Sequence, residues 1–194
     1  VCEGISGFRH LIGFPGEAPV RPNLSLGDSI ASLHAIIGIL MALNARERGV
    51  HKGQVVDVAL YETMFNMLES VVPEYAEEGI IREASGTTLT GIVPTNTYRC
   101  QDDKFVIIGG NGDSIFKRLM TEIGRDDFAA DAAMADNAGR VVHQQKIDDA
   151  ISLWCSQHPI QSVIERLEAV RVPAGPIYNA EDMANDPHFQ ARGL

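Results

Sequence analysis

Apolar residues recur at three- and four-residue steps in two stretches of the first third of the chain. Between Asp28 and Gly49 this spacing predicts one long helix, with Asp28 as its N-cap and Gly49 as its stop. A second stretch predicts another helix that is capped by Asp57 and ended by Pro73. Glycine and proline are dense over residues 1–22, where we expect a short helical turn followed by an extended loop.

From Pro94 onwards the helical steps give way to short apolar runs separated by turn residues. Residues 97–100 and 105–108 predict two strands joined by a turn, and 170–178 predict a third strand that is interrupted by prolines. The remaining periodic runs predict helices from Asp113 to Gly124, at 140–156, at 160–169 and over part of 182–189. This mixture of elements predicts an α+β fold.

Changes in composition divide the chain into four predicted parts. Residues 1–73 form a part with long linker helices, within which Gln54–Val56 is expected to be a short strand or a bend. Residues 74–93 are polar and rich in glycine, serine and threonine, which is typical of a connection between domains. Residues 94–180 form a small mixed α/β domain, and 181–194 form a closing segment.

Charge and cysteine usage exclude several classes of partner. The formal net charge is −10 and the pI is about 5.0, which disfavours nucleic acids and anionic membranes because both bind basic surfaces. Cys2, Cys100 and Cys155 have no metal-ligand spacing and suit free thiols in a reducing cytosol. The longest apolar run, Ala35–Leu43, is shorter than the ~18 residues of a membrane span. We therefore expect a cytoplasmic protein with no metal and no membrane span.

Short strings that occur in order along nearly the whole chain carry a family resemblance. They are Ser6-Gly7, Leu26-Gly27-Asp28, Gly53-Gln54-Val55-Val56-Asp57-Val58-Ala59-Leu60, Val172-Pro173-Ala174-Gly175-Pro176-Ile177 and Asp186-Pro187. Together they resemble the second half of class III CoA-transferases, the CaiB/BaiF family that includes formyl-CoA transferase, carnitine-CoA transferase and methylacyl-CoA racemase.

The resemblance implies that the catalytic carboxylate lies outside this chain. In the family a nucleophilic aspartate precedes the motif that matches Ser6-Gly7, which places it about two positions before Val1. The nucleotide-binding half and the racemase histidine would also lie upstream, and residues 1–73 would belong to the large domain. The chain has no initiator methionine and reads like a piece of a longer protein. We expect the parent to be an enzyme and the isolated chain to be inactive.

Two candidate substrate-binding positions follow from the resemblance. Gly91, Ile92, Val93 and Pro94 match a glycine-rich active-site lid, although an ordinary linker turn explains them equally well. Glu83 lies near the place where racemase relatives supply a carboxylate, with a solvated surface glutamate as the alternative.

Other candidates have simpler explanations. The loop Gly109–Gly112 precedes a helix and could bind an anion, but Asp113 would repel a phosphate there, which favours a plain turn. The six histidines are dispersed without ligand spacing and are expected to be structural or exposed. Asp28 and Asp57 are explained as caps.

The leading hypothesis is CoA transfer between carboxylic acids through an aspartyl intermediate. Its substrates would be a coenzyme A thioester and a carboxylic acid acceptor, and the parent would form the interlocked homodimer of the family. A racemase or isomerase acting on 2-methylacyl-CoA is the alternative within the family. A non-catalytic binding or assembly domain is the alternative outside it.

Overall fold

A computed structural model describes residues 1–194 in full. The chain forms two compact units, Val1–Gly86 and Thr87–Leu194. The boundary between them falls inside the segment 74–93. The first unit is helical and the second combines helices with a small sheet, so the predicted α+β class is confirmed.

The first unit contains four α-helices and one 3-10 helix. They are α1 (Cys2–Ile5), the 3-10 helix Phe8–Leu11, α2 (Leu26–Glu47), α3 (Leu60–Phe65) and α4 (Val71–Glu78). The long helix was predicted, but its N-cap is Ser25, and Asp28 lies in the first turn. A carboxylate there still interacts favourably with the positive end of the helix dipole.

The second predicted helix of this unit is two separate helices. Asp57 caps neither of them, because Ala59 holds the N-cap position of α3. Pro73 does not end a helix but lies in the first turn of α4, where a missing N–H removes no intrahelical hydrogen bond. The predicted linker therefore starts later than expected, since α4 continues to Glu78.

On helix α2, small residues face the rest of the first unit and large apolar residues face the solvent. Gly27 is buried and Gly38 is half-buried. A Cβ at Gly27 would lie 2.9 Å from Sγ of Cys2, and a Cβ at Gly38 would lie 2.7 Å from Cγ1 of Val56. The opposite side, here called the α2 outer face, consists of Leu33, Ile36, Ile37, Ile39, Leu40, Met41 and Leu43, all exposed. A helix that is apolar on all sides is normally buried within a larger core or a membrane.

By length and composition alone, α2 is long and apolar enough to cross a membrane. This corrects the expectation that no segment reaches that threshold, which counted an unbroken apolar run and overlooked the small and weakly polar residues around it. A single helix of this kind is a weak indication, because core helices of soluble proteins meet the same criterion.

The second unit is built on a three-stranded antiparallel sheet in the order β1-β2-β3. Its strands are β1 (Thr95–Arg99), β2 (Phe105–Gly109) and β3 (Ala174–Pro176). Tyr98 pairs with Val106 across β1 and β2, and Ile108 pairs with Ala174 across β2 and β3. Burial alternates along β2, so one face of the sheet is covered and the other is exposed.

Seven α-helices and one 3-10 helix complete the second unit. They are α5 (Asp113–Glu122), α6 (Asp126–Ala129), the 3-10 helix Ala132–Met134, α7 (Asn137–Val142), α8 (Gln144–Cys155), α9 (Ile160–Ala169), α10 (Ala180–Asn185) and α11 (Pro187–Arg192). The helix expected at 140–156 is broken at His143 into α7 and α8. The predicted third strand is reduced to three residues, and the closing segment holds two capped helices.

The two units differ sharply in how much core they possess. The second unit buries eighteen apolar side chains in one cluster that joins the sheet to α5, α8 and α9. In the first unit, Met64 and Leu68 are the two buried large apolar side chains. Since burial of apolar surface is the main force that stabilises a fold, most of the stabilising core lies in the second unit.

Candidate functional site

The Ser6–Gly7 motif forms a fixed turn after α1. Gly7 has φ of 85°, a left-handed conformation that side chains disfavour. The buried Ser6 hydroxyl donates to the carbonyl of Glu3 at 3.2 Å. The Glu3 carboxylate is itself buried and accepts from Nε of Arg9 at 2.9 Å. An ion pair between a buried carboxylate and a partly exposed guanidinium thus holds the turn that leads into the next helix.

His10 and Glu83 form a second pair in this unit, although they are far apart in sequence. Nε2 of His10 lies 3.1 Å from Oε2 of Glu83, and the side chains are 50% and 69% exposed. The pairing is possible because Gly86 N–H donates to the carbonyl of Gly13 at 2.9 Å, which draws the end of the unit against the early loop. A carboxylate beside an imidazole orients the ring.

His10 lies between two cavities. One has a volume of about 450 Å³ and is lined by the loop 12–19 together with Glu83. The other, of about 280 Å³, is almost wholly apolar and includes Leu68 and Tyr75. Small-ligand sites combine apolar walls with a few polar groups, and the His10–Glu83 pair supplies such groups here.

Arg82 lines the apolar cavity and is held mainly by residues of its own unit. Its Nε donates to Oε2 of Glu74 at 3.0 Å, and its Nη2 contacts both Glu74 and Ser70. Nη1 lies 3.6 Å from Glu69. Hydrogen bonding from Arg82 lowers the pKa of Glu74 below its ordinary value. This guanidinium therefore ties α4 to the chain that follows it.

The segment Gly91–Pro94 is held in the second unit by side chains of α7. Asn137 accepts from Val93 N–H at 3.1 Å and donates to the carbonyl of Gly91 at 2.8 Å. Arg140 donates from Nε to the carbonyl of Val93 at 3.0 Å. Gly91 adopts φ of 76° in the turn that Leu89 and Ile92 close. The two α7 residues act as a clamp on the backbone of this turn, here called the α7 clamp.

Arg140 is fully buried and connects the turn to a second loop. Its Nη2 donates to the carbonyl of Asn111 at 2.7 Å and to Oδ1 of Asp113 at 2.8 Å. Its Nη1 donates to the carbonyls of Met134 and Ala135. Because every guanidinium nitrogen has a partner, the cost of burying the charge is offset.

The glycine loop at 109–112 is packed tightly rather than open. Gly110 N–H donates to the carbonyl of Pro94 at 2.8 Å. A Cβ at Gly110 would lie 2.6 Å from Leu119 and 3.0 Å from Pro94. Together with the carboxylate of Asp113 bound to Arg140, this supports the interpretation of the loop as a structural turn.

The structure places the predicted substrate-binding residues in different surroundings. Val93 and Pro94 are buried, Ile92 is half-buried and Gly91 is exposed. Glu83 is exposed beside His10, in the other unit. Their roles toward a substrate stay predictions. No group of three or more His, Cys, Asp or Glu side chains is arranged to hold a metal ion.

Sequence reasoning considered neither Asn137 nor Arg140 and did not connect His10 with Glu83. His10 was expected to be structural or exposed, and its side chain is 50% exposed. Each reaches its partner only through tertiary contacts, so no local pattern in the sequence marks it.

Comparison with known proteins assigns the family. The model of CoA-transferase family III matches residues 1–194. The chain therefore belongs to this family, and the resemblance seen in the sequence is confirmed.

Relatives and solved structures agree with this assignment. Succinyl-CoA–D-citramalate CoA-transferase of Chloroflexus aurantiacus is 40% identical over 192 residues, covering 99% of this chain and 48% of the relative. The alpha subunit of succinyl-CoA–L-malate CoA-transferase of Chloroflexus aurantiacus is 37% identical over 194 residues, covering 100% and 45%. The crystal structure of a CaiB/BaiF family protein from Brucella suis matches with a TM-score of 0.81 at 29% identity, covering 100% of this chain and 50% of that one. The chain thus spans about half the length of the relatives it matches.

Proposed function

We propose that this chain is part of an acyl-CoA:carboxylate CoA-transferase with succinyl-CoA as donor and a hydroxylated dicarboxylate as acceptor. The observation that supports it is the 40% identity, along 99% of the chain, to an enzyme named for succinyl-CoA and D-citramalate. A second relative is named for succinyl-CoA and L-malate, another hydroxylated dicarboxylate. The coenzyme A thioester would be a substrate of the enzyme.

The proposed reaction proceeds through an aspartate that this chain does not carry. The carboxylate oxygen attacks the thioester carbonyl, the C–S bond breaks, and the thiolate leaves with its electron pair. The thiolate then attacks the aspartyl carbonyl of the mixed anhydride, which releases the donor acid and gives an aspartyl-CoA thioester. The acceptor acid repeats both steps in the reverse sense, and the aspartate is regenerated as CoA passes to the acceptor.

Within this scheme the chain would contribute walls and polar groups rather than the nucleophile. His10 lines both cavities of the first unit beside Glu83, whereas Arg82 is paired with Glu74. In the second unit, the α7 clamp fixes the path of Gly91–Pro94 before any ligand arrives. A preorganised wall loses little entropy when substrate binds.

The proposal includes a cytoplasmic homodimer. Three free cysteines, two of them buried, suit a reducing compartment. The sparse core and exposed apolar surface of the first unit support assembly with further polypeptide.

A fusion protein tests the reaction. In the fusion, this chain replaces the matching 192 residues of the Chloroflexus D-citramalate enzyme. We expect CoA transfer from succinyl-CoA to D-citramalate or L-malate by the fusion and none by the isolated chain, followed by chromatography of the CoA esters. Epimerisation of 2-methylacyl-CoA without acceptor-dependent transfer would favour the racemase alternative. Turnover by the isolated chain would disprove that the nucleophile lies outside it.

A further inference from the structure

A cavity in the second unit lies between α5 and the turn that follows α9. It has a volume of about 630 Å³, and its walls include Lys117, Arg118 and Thr121 on α5 and Val170 and Arg171 after α9. Cavities of this size hold small organic ligands. All of its lining residues belong to the second unit, and the proposed CoA transfer assigns none of them a role.

The walls of this cavity carry more positive than negative charge. Three cationic side chains line it, together with the single carboxylate of Glu122. Glu122 accepts from Nε of Arg166 at 2.7 Å, so its charge is already balanced. None of Lys117, Arg118 and Arg171 takes part in an ion pair. In a chain with a net charge of −10, this cavity is therefore a local site of uncompensated positive charge.

Arg118 holds one wall of the cavity in place. Its Nε donates to the carbonyl of Val170 at 2.8 Å, and its Nη2 donates to the carbonyl of Arg171 at 2.9 Å. Its Nη1 donates to the carbonyl of Ser114 at 3.1 Å. Arg118 thus satisfies the carbonyls at the end of α9. The side chains of Lys117 and Arg171 have no hydrogen-bond or ion-pair partner in the chain.

Arg171 occupies a backbone position that favours glycine. The end of α9 is a Schellman turn, in which Val172 N–H donates to the carbonyl of Leu167 and Arg171 N–H donates to that of Glu168, both at 2.9 Å. Arg171 has φ of 57°, a left-handed conformation that glycine adopts freely and that a side chain disfavours. The arginine therefore lowers the stability of this turn, which indicates a use for its side chain other than folding.

We propose that this cavity binds a multiply charged small organic anion through Lys117 and Arg171. Phosphate esters, diphosphates and polycarboxylates share this chemistry. Ammonium and guanidinium groups form strong charge-assisted hydrogen bonds to such oxyanions. Ala169, Val170 and the aliphatic stem of Arg118 would contact the organic part of the ligand. The inference goes beyond CoA transfer and does not rest on it.

A multiply charged anion suits the cavity better than a single carboxylate. A monocarboxylate would pair with one of the two free cations and leave the other uncompensated, and a single exposed ion pair contributes little in water. The hydroxyl of Thr121 adds no free donor, because it donates to Oδ1 of Asp126 at 2.8 Å. Recognition therefore depends on Lys117 and Arg171 acting on the same ligand.

Titration of the chain with inorganic pyrophosphate, citrate and acetate tests the proposal. We expect pyrophosphate or citrate to shift the amide NMR signals of residues 117–121 and 169–172, and acetate to bind at least about tenfold more weakly. Tighter binding of pyrophosphate would assign the ligand to the phosphates, and tighter binding of citrate would assign it to the polycarboxylates. No binding of either at millimolar concentration in low salt, or equal binding of acetate, would overturn the proposal.

Arg171→Gly separates binding from folding. Because glycine suits the left-handed turn, this variant should melt at the same temperature as the unchanged chain or at a higher one. Its affinity for the anion should fall at least about tenfold, and Lys117→Gln should weaken binding to a similar extent. Unchanged affinity in Arg171→Gly would refute the assignment.

Lys104→Gln is the matched control. Lys104 is an exposed lysine of the same unit that forms no ion pair and does not line the cavity. Its replacement removes the same charge as Lys117→Gln and should change the affinity by less than about twofold. A loss as large as that of Lys117→Gln would show that the anion responds to overall charge, and the cavity would no longer be its site.

Discussion

The guanidinium of Arg140 donates to the carbonyl oxygen of Val93 at 3.0 Å from a position with no solvent exposure. The contact joins α7 to the turn that precedes β1, across nearly half of the second unit's sequence. Its other partners are three more carbonyls and the carboxylate of Asp113. One side chain thus satisfies the polar backbone of two loops in the unit's interior.

Replacing Arg140 should strongly lower the free energy of unfolding of the second unit. Arg140→Ala leaves several buried carbonyls without donors, and each such group costs about 1–3 kcal/mol. We expect a loss of at least about 3 kcal/mol in the free energy of unfolding of the second unit, measured by urea denaturation. Arg99→Ala is the control, because the pair between Arg99 and Asp103 is solvent-exposed and should contribute below about 1 kcal/mol. Similar losses for the two variants would contradict this role of Arg140.

The contact between Gly38 and Val56 should tolerate no added atom. A Cβ at Gly38 would lie 2.7 Å from Val56, so Gly38→Ala should displace the extended segment and cost about 1–3 kcal/mol in the fusion protein. Gly53→Ala provides the control, since nothing lies within 4 Å of its Cβ. Thermal unfolding of both variants measures the difference. The double variant Gly38→Ala/Val56→Ala should recover part of the loss, and failure to do so would mean that the clash is not the cause.

Alkaline pH should destabilise the second unit through Cys155. Burial raises the pKa of this thiol to about 12, with the nearby Cys100 as a smaller cause. In the unfolded chain a thiol titrates near 8.5. Between about pH 9 and 12 the unfolded state therefore loses a proton that the folded state keeps. Stability should be unaffected by this group below that window and should fall by about 1.4 kcal/mol per pH unit within it.

Cys155→Ala should remove this contribution to the pH dependence. The variant will be less stable overall because it leaves a small cavity, but its free energy of unfolding should fall less steeply between pH 9 and 10.5 than that of the parent chain. Urea denaturation at several pH values gives both slopes. Equal slopes would show that Cys155 does not titrate as the buried geometry implies.

The two units should differ when they are produced separately. Residues 87–194 contain all eighteen clustered core residues and should unfold cooperatively with heat. Residues 1–86 bury two apolar side chains and should lack a cooperative transition. Circular dichroism and amide NMR dispersion distinguish these outcomes. A cooperative transition in the 1–86 fragment would contradict the conclusion that the first unit depends on additional polypeptide.

Local patterns predicted the elements that depend on local forces. Helix α9 starts and ends where its periodicity and the preceding Pro159 place it. The strands β1 and β2 were located to within two residues, because an intervening turn separates two short apolar runs. The break between α3 and α4 was missed, since Pro73 was read as a stop although proline is also well suited to a first turn.

Tertiary relationships could not be predicted in the same way. His10 and Glu83 meet because a glycine loop folds back on the end of the first unit. Arg140 lay at the start of the helix predicted at 140–156 and Asn137 lay before it, so neither was connected with Gly91–Pro94. The exposure of the α2 outer face could not be predicted either, because an apolar helix has the same sequence pattern whether or not its partner is present.

The α7 clamp affects which substitutions the turn Gly91–Val93 of this chain can accept. Asn137 and Arg140 hold the turn through the carbonyls of Gly91 and Val93 and the N–H of Val93, and not through side chains of the turn. The path of the turn is therefore largely independent of the side chain at Ile92. Substitution of Ile92 should therefore leave the surrounding backbone in place. Because these contacts hold the backbone alone, the side chain at position 92 can change without moving the turn.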